Sequence, residues 1–206
     1  MGKSEKENNE WMKYVSNKEL LSENLIYLSL FISVYESMKD YVVNNVKSLL
    51  CTRRKEDEKI KFVKTDEYKK EIEGRVVDEE GNHDSTKASF LFLVDLNIIS
   101  MSDYNDFLKM KDTRNKYAHE MLQLIASDIN IEEIKLFLQM VQLYKKITKN
   151  WFIEVEASIL GIQVTDNMEN IVFTKCLAID IALNVLYNNK AGEYKKIFEE
   201  YGETDK

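Results

Sequence analysis

An arginine and a histidine five residues apart are the strongest candidates for chemistry in this chain of 206 residues. They are Arg114 and His119, and the chain has only two histidines. A guanidinium stays charged and can hold two phosphate oxygens at once, whereas an unperturbed imidazole titrates near ~6.5 and can move protons at neutral pH. Cleavage of a phosphodiester by a neighbouring hydroxyl needs a base, an acid and positive charge, so this pair predicts phosphodiester chemistry.

The neighbours of this pair fit the same chemistry. Asn115 stands four residues before His119, so on a helix it shares a face with the imidazole and could orient it or contact a phosphate. Lys111 and Lys116 give the segment a basic flank, which we interpret either as substrate-binding side chains or as an ordinary solvated face. Five residues at about 100° each place Arg114 and His119 roughly 140° apart around a helix axis. We therefore expect another surface to complete the site.

The run Arg114-Asn115-x-x-Ala118-His119 resembles the Arg-x4–6-His signature of the HEPN superfamily, the higher-eukaryote and prokaryote nucleotide-binding domains. The resemblance covers six residues and a helical pattern over most of the chain. It implies an all-α, HEPN-like helical bundle, usually a homodimer in which the motifs of two protomers face one cleft. Many members are metal-independent endoribonucleases, without cofactors, of toxin–antitoxin, abortive-infection and antiviral defence systems, whereas others are non-catalytic. It further implies RNA as the substrate and an antitoxin or another defence-system partner.

One position departs from that resemblance. Met121 stands two residues after His119, where toxins silenced by a partner nucleotidyltransferase usually have a tyrosine. The resemblance therefore does not extend to that form of control. Tyr117, inside the motif, is interpreted as a packing residue.

A structural role for the same residues is the alternative. Arg114 falls within an apolar stripe at helical spacing, so a buried guanidinium would need an acid, and Glu36 or Asp40 on an earlier helix could supply it. His119 would then be a core histidine. In that case the chain would be a non-catalytic helical module that binds nucleotide or RNA, or that dimerises. The stripe comprises Phe107, Met110, Arg114, Tyr117, Ala118, Met121, Leu122 and Ile125.

Composition favours a helical, cytoplasmic protein with a single domain over residues 1–206. Hydrophobic residues make up 44%, there is no proline and there are only six glycines, which argues against loop-rich β folds. The two cysteines, Cys51 and Cys176, match no metal-ligand or disulfide pattern, and we expect no bound metal and a reducing compartment. We find no secretory signal and no membrane span. The net charge of −7 argues against a general nucleic-acid coat but not against a local site.

Apolar periodicity predicts the elements that must position the motif. A long helix begins at a capping box of Ser16 and Glu19 and ends near Leu50. Ser85 caps a helix over 86–97, Ser102 caps the motif helix, which runs to about Ala126, and Asn130 caps a helix that ends before Gly161. A last helix over 166–188 precedes a charged tail at 192–206.

Residues 51–85 are predicted to be a polar insertion between the first long helix and the motif region. Residues 53–75 hold nine Lys/Arg against seven Asp/Glu. A short charged helix, or a strand pair joining 60–63 to 75–77, could form there. Its function could be that of an arm that grips substrate, and the alternative is a mobile solvated loop. His83, in a polar turn, is interpreted as a surface histidine.

Overall fold

The computed structural model describes residues 17–56, 59–76, 81–163, 176, 177, 179, 180 and 183. Of these residues 77% are helical, which confirms the predicted helical character. The described part also holds one two-stranded sheet. The elements in order are α1 (Lys18–Leu50), β1 (Cys51–Glu56), β2 (Lys59–Lys64), α2 (Asp66–Tyr68) with a π-helical turn (Lys69–Glu73), α3 (Ser85–Asp95), α4 (Met101–Leu124), α5 (Ile131–Trp151) with a π-helical turn (Phe152–Glu156), and α6 (Ala157–Leu160).

The chain divides into two compact units. The first holds the described residues of Met1–Tyr35, Leu108–Tyr144 and Val172–Lys206, and the second holds those of Glu36–Phe107 and Lys145–Ile171. The motif residues 114–119 belong to the first unit. The hairpin β1–β2 belongs to the second.

Four aromatic side chains form the centre of the first unit. Tyr27 and Phe31 on α1 surround Tyr117 of α4, with ring centroids 6.2 and 4.9 Å from the tyrosine ring in edge-on arrangements. Phe137 of α5 packs on the same two α1 rings at 5.6 and 5.7 Å. All four side chains are buried. Edge-on aromatic pairs are stabilising beyond their buried area, so this cluster fixes the rotation of α4 about its axis.

Two polar side chains of α1 hold the connection between α4 and α5. The buried Asn24 donates both amide hydrogens, to the carbonyls of Ile125 (3.0 Å) and Ser127 (2.8 Å). The Tyr27 hydroxyl donates to the Glu133 carbonyl at 2.8 Å. Carbonyls at a helix C-terminus have no partner within the helix, so Asn24 satisfies groups that would otherwise be costly to bury.

The N-terminus of α4 is fixed by a reciprocal cap in the second unit. The Asp103 carboxylate accepts from the backbone N–H and the hydroxyl of Ser100, both at 2.7 Å, and the Ser100 hydroxyl accepts from the Asp103 N–H. The predicted cap at Ser102 was therefore wrong by two residues, because Asp103 completes a capping box only with the residue three positions before it. Lys146 donates to the same carboxylate at 2.7 Å.

Asp103→Ala should lower the free energy of unfolding by about 1–2 kcal/mol, since it removes the carboxylate half of the capping box and the partner of Lys146. Burial by itself raises the pKa of Asp103, but the hydrogen bonds from Lys146 and Ser100 outweigh it and leave the pKa lowered. A lowered pKa stabilises the fold above the ordinary value of about 3.9, and this contribution is lost as the pH falls through the folded-state value. Urea unfolding at several pH values should show the difference from wild type shrinking in acid. The exposed Asp112 of the same helix provides the control, Asp112→Ala, which should behave as wild type.

Residues 51–64 form an antiparallel hairpin in which Cys51 lies opposite Lys64 and Glu56 opposite Lys59. Residues 60–63 therefore pair with β1, because strands adjacent in sequence close the shorter loop. The predicted partner segment 75–77 lies partly outside the described residues. The Thr65 hydroxyl donates to the Leu50 carbonyl and accepts from the Tyr68 N–H, which ties the end of the hairpin to α1. Tyr68 and Ile72 are buried, so the segment predicted as a polar insertion also contributes to the core.

Other predicted boundaries can be compared directly with the elements. Asn130 caps α5 by accepting from the Glu132 N–H at 3.0 Å, and Gly161 ends α6 with a φ of 66°, as expected. The first long helix ends at Leu50 as predicted. Asn17 caps it by accepting from the Leu20 N–H, while the predicted cap Ser16 lies outside the described residues. Asp84, rather than Ser85, caps α3. Of the predicted helix 166–188, the five described residues are helical and the rest lie outside, as does the predicted tail 192–206.

Both cysteines are buried and free. Burial raises the pKa of the Cys51 thiol. Among the helices of the described residues, none combines the length and apolar content that crossing a membrane requires.

Candidate functional site

Helix α4 carries all the candidate motif residues on one continuous stretch. Arg114 and Asn115 are half-buried, His119 is exposed, and Tyr117 between them is fully buried. The buried tyrosine confirms its interpretation as a packing residue. Because Tyr117 packs against α1, the backbone positions of Arg114 and His119 are fixed by the core and do not depend on a loop.

The guanidinium of Arg114 contacts the neighbouring amide. Its Nη1 donates to Oδ1 of Asn115 at 3.1 Å. In this conformation Asn115 positions Arg114 and does not orient His119. Among the described residues neither ring nitrogen of His119 has a hydrogen-bond partner, so the imidazole is available to a substrate.

Only part of the apolar stripe predicted for α4 is buried. Phe107, Met110 and Tyr117 are buried as expected. Ala118 and Leu122 are exposed, with 77% of Leu122 accessible. An α-helix turns about 100° per residue, so when Tyr117 faces the core, Ala118 lies about 100° around the axis from it. His119 therefore stands on a face that also carries two apolar side chains in solvent.

The two predicted substrate-binding lysines differ in their surroundings. Lys116 forms an ion pair with Glu133 of α5 at 3.0 Å and is exposed, so part of its charge is already compensated. Lys111 is half-buried. A cavity of about 230 Å³ adjoins Lys116, Tyr117 and Glu133, but neither Arg114 nor His119 lines it.

The two acids proposed as partners of Arg114 both lie beside a lysine of their own helix. Lys39 forms an ion pair with Glu36, and its Nζ is 3.5 Å from Oδ1 of Asp40. That one of these acids holds Arg114 stays a prediction. The other histidine, His83, is exposed, in agreement with its interpretation as a surface residue.

Sequence reasoning missed a second set of side chains, in the hairpin. Arg53 lies opposite Phe62, and Lys55 lies opposite Ile60. A strand at residues 60–63 was one of the two predicted possibilities, and β2 contains it. The register that brings each basic residue beside an apolar side chain depends on the pairing with β1, which was not predicted.

Comparisons of the chain with protein-family models, with curated proteins and with solved structures found no match. The case for a family and an activity therefore rests on the motif and its setting in α4. Among the described residues, no group of three or more His, Cys, Asp or Glu side chains is arranged to hold a metal ion.

Proposed function

We propose that this protein is a metal-independent endoribonuclease of the HEPN type, acting in the cytoplasm within a toxin–antitoxin or abortive-infection system. One observation carries the proposal: a rigidly packed helix presents an exposed imidazole, His119, slightly more than one turn beyond a half-buried Arg114 in contact with Asn115. These are the residue types that RNA transesterification needs, and they stand on an element fixed by the aromatic core.

The chemistry assigns a role to each side chain. The ribose 2′-hydroxyl attacks the adjacent phosphorus after losing its proton, and the bond from phosphorus to the 5′-oxygen breaks as that oxygen gains a proton. Imidazole can accept the first proton and donate the second. The guanidinium of Arg114 binds the phosphate oxygens and stabilises the phosphorane, in which their negative charge is greatest. The products are a 2′,3′-cyclic phosphate and a 5′-hydroxyl end.

A second copy of the chain completes this site in the proposal. One imidazole cannot be base and acid at the same moment, and Arg114 and His119 point in directions roughly 140° apart around α4. Two copies facing each other would supply two imidazoles and two guanidiniums to one cleft. The exposed Ala118 and Leu122 beside His119 support this arrangement, because apolar side chains on such a face are suited to burial against a twin helix.

Leu122→Glu tests the twofold site. Two carboxylates meeting at a symmetric contact repel each other, so we expect a monomer in sedimentation and at least a tenfold loss of RNA cleavage. Gln123→Glu, which adds the same charge at the next exposed position, should stay dimeric and active. A wild-type protein that is monomeric while cleaving RNA would overturn the composite site but not the assignment of the two side chains.

The activity itself is tested with purified protein and total RNA in the presence of a chelator. The expected result is endonucleolytic fragments ending in 2′,3′-cyclic phosphate, and growth arrest when the wild-type gene is expressed without its antitoxin or defence partner. Intact RNA under all these conditions would favour the alternative, a non-catalytic helical module for RNA binding or dimerisation.

A further inference from the structure

The hairpin β1–β2 has two chemically different faces. Side chains along a strand alternate between faces, and directly opposed residues share one. One face therefore carries Arg53 opposite Phe62 and Lys55 opposite Ile60. We call these four residues the basic–apolar face. The other face carries Arg54 opposite Lys61, Glu56 opposite Lys59, and Thr52 opposite Val63.

The two faces differ in whether their basic side chains have an acidic partner. On the second face Glu56 forms an ion pair with Lys61, with 2.7 Å between Oε2 and Nζ, and its Oε1 lies 4.0 Å from Nη1 of Arg54. On the basic–apolar face no acid among the described residues pairs with Arg53 or Lys55, and both are exposed. Two cations side by side without an acidic partner can attract a polyanion even in a chain whose net charge is −7.

The apolar members of the face are exposed as well. Ile60 is 65% and Phe62 39% accessible, and the guanidinium of Arg53 lies over the Phe62 ring, 6.0 Å from its centroid. An exposed ring is a platform on which an unpaired base can stack, and a neighbouring guanidinium adds a cation–π contribution. A flat aromatic beside cations is the combination found where proteins bind single-stranded nucleic acid.

We infer that the basic–apolar face binds single-stranded RNA, with Arg53 and Lys55 on phosphates and Phe62 stacked against a base. Residues two apart on a strand are separated by about 6.8 Å, so the two cations can contact different phosphates. The inference rests on the proposed function, because that activity makes RNA the expected polyanion. It adds a location at which the substrate is held.

A groove next to this face favours a single strand over a duplex. Arg53 also lines a groove of about 330 Å³ whose walls include Ser48, Leu49, Trp151 and Val155. Glu156 lines it too and disfavours a phosphate there, whereas a carboxylate can accept hydrogen bonds from the amino groups of bases. A groove of this kind can take one unstacked base, which a single strand supplies more readily than a duplex does.

Binding of a fluorescein-labelled 20-nucleotide RNA, measured by anisotropy, tests the inference. All variants carry His119→Ala so that cleavage does not deplete the probe. Arg53→Ala with Lys55→Ala should weaken binding most at low salt. When the salt is raised about fourfold, the affinity of this variant should fall about sevenfold less than that of the parent, since the loss of two phosphate contacts lowers the salt slope by about 1.4. The matched control, Arg54→Ala with Lys61→Ala, removes the same charge from the other face and should bind nearly as the parent does.

The aromatic contact is tested separately. Phe62→Leu should weaken binding about tenfold, and Phe62→Tyr, which keeps a ring, should restore it. Equal loss in the two charge variants, or equal affinity for polyglutamate of the same charge, would overturn the base-stacking face. The two charge variants made without His119→Ala separate the two proposals. Binding to this face without any cleavage would refute the ribonuclease alone, and cleavage unaffected by the face variants would refute the face alone.

Discussion

His119→Ala should reduce RNA cleavage by about 10²–10⁴-fold and leave the free energy of unfolding within about 0.5 kcal/mol of wild type. The first expectation follows from the proposed role of the imidazole in both proton transfers. The second follows from its exposure, because an exposed side chain without a hydrogen-bond partner among the described residues contributes little to folding. Initial rates on a defined RNA, together with urea unfolding, measure the two quantities.

The chain supplies a matched control for this variant. His83 is the other histidine, is also exposed, and lies in the second unit, so His83→Ala should cleave as wild type. Unchanged cleavage in His119→Ala would contradict the proposed catalytic role. Equal loss in both histidine variants would point to a general effect of removing imidazoles. A large loss of stability in His119→Ala would instead support the structural alternative, in which this residue belongs to the core.

Helix ends that depend on local chemistry were predictable from the sequence. Asn130 and Gly161 act within one turn of their own positions, through a side-chain hydrogen bond and a positive φ. Leu50 as the end of α1 follows from the change from apolar periodicity to a run of charges. Where two candidate caps lay close together the sequence was ambiguous, since Ser100 precedes α4, Ser102 lies in its first turn, and only the partner Asp103 distinguishes them.

Features that depend on distant residues could not be read from local patterns. Ala118 and Leu122 fit the helical spacing as well as Tyr117 does, and only the rings of Tyr27 and Phe31 decide which of them is buried. The strand pairing of residues 60–63 likewise depends on which partner closes the smaller loop.

The candidate site, too, was only partly predictable from the sequence. Residue types and spacing drew attention to Arg114 and His119, because these patterns belong to one helix. The contact from Arg114 to Asn115 rests on side-chain rotamers, which spacing does not determine. Charge composition singled out residues 53–75 as a basic segment, but the separation into a face with an acidic residue and a face without one needed the register of the hairpin.

Tyr117→Ala should lower the free energy of unfolding by about 3–5 kcal/mol, the cost typical of removing a large buried aromatic ring. The ring is fully buried in the first unit and contacts two other rings, so the cavity left behind has rigid aromatic walls and cannot collapse easily. Tyr117→Phe keeps the ring and its contacts with Tyr27 and Phe31, so it should cost far less than Tyr117→Ala. Equilibrium unfolding in urea measures both.

The matched control for this prediction is Leu25→Ala. Leu25 is an apolar residue of α1 in the same unit, but 46% of it is exposed, so its truncation should cost about 1 kcal/mol or less. Because Tyr117 sets the rotation of the helix that carries Arg114 and His119, Tyr117→Ala should also lower RNA cleavage at temperatures where it remains folded. A Tyr117→Ala protein as stable as Leu25→Ala would contradict the aromatic core as the element that positions the motif.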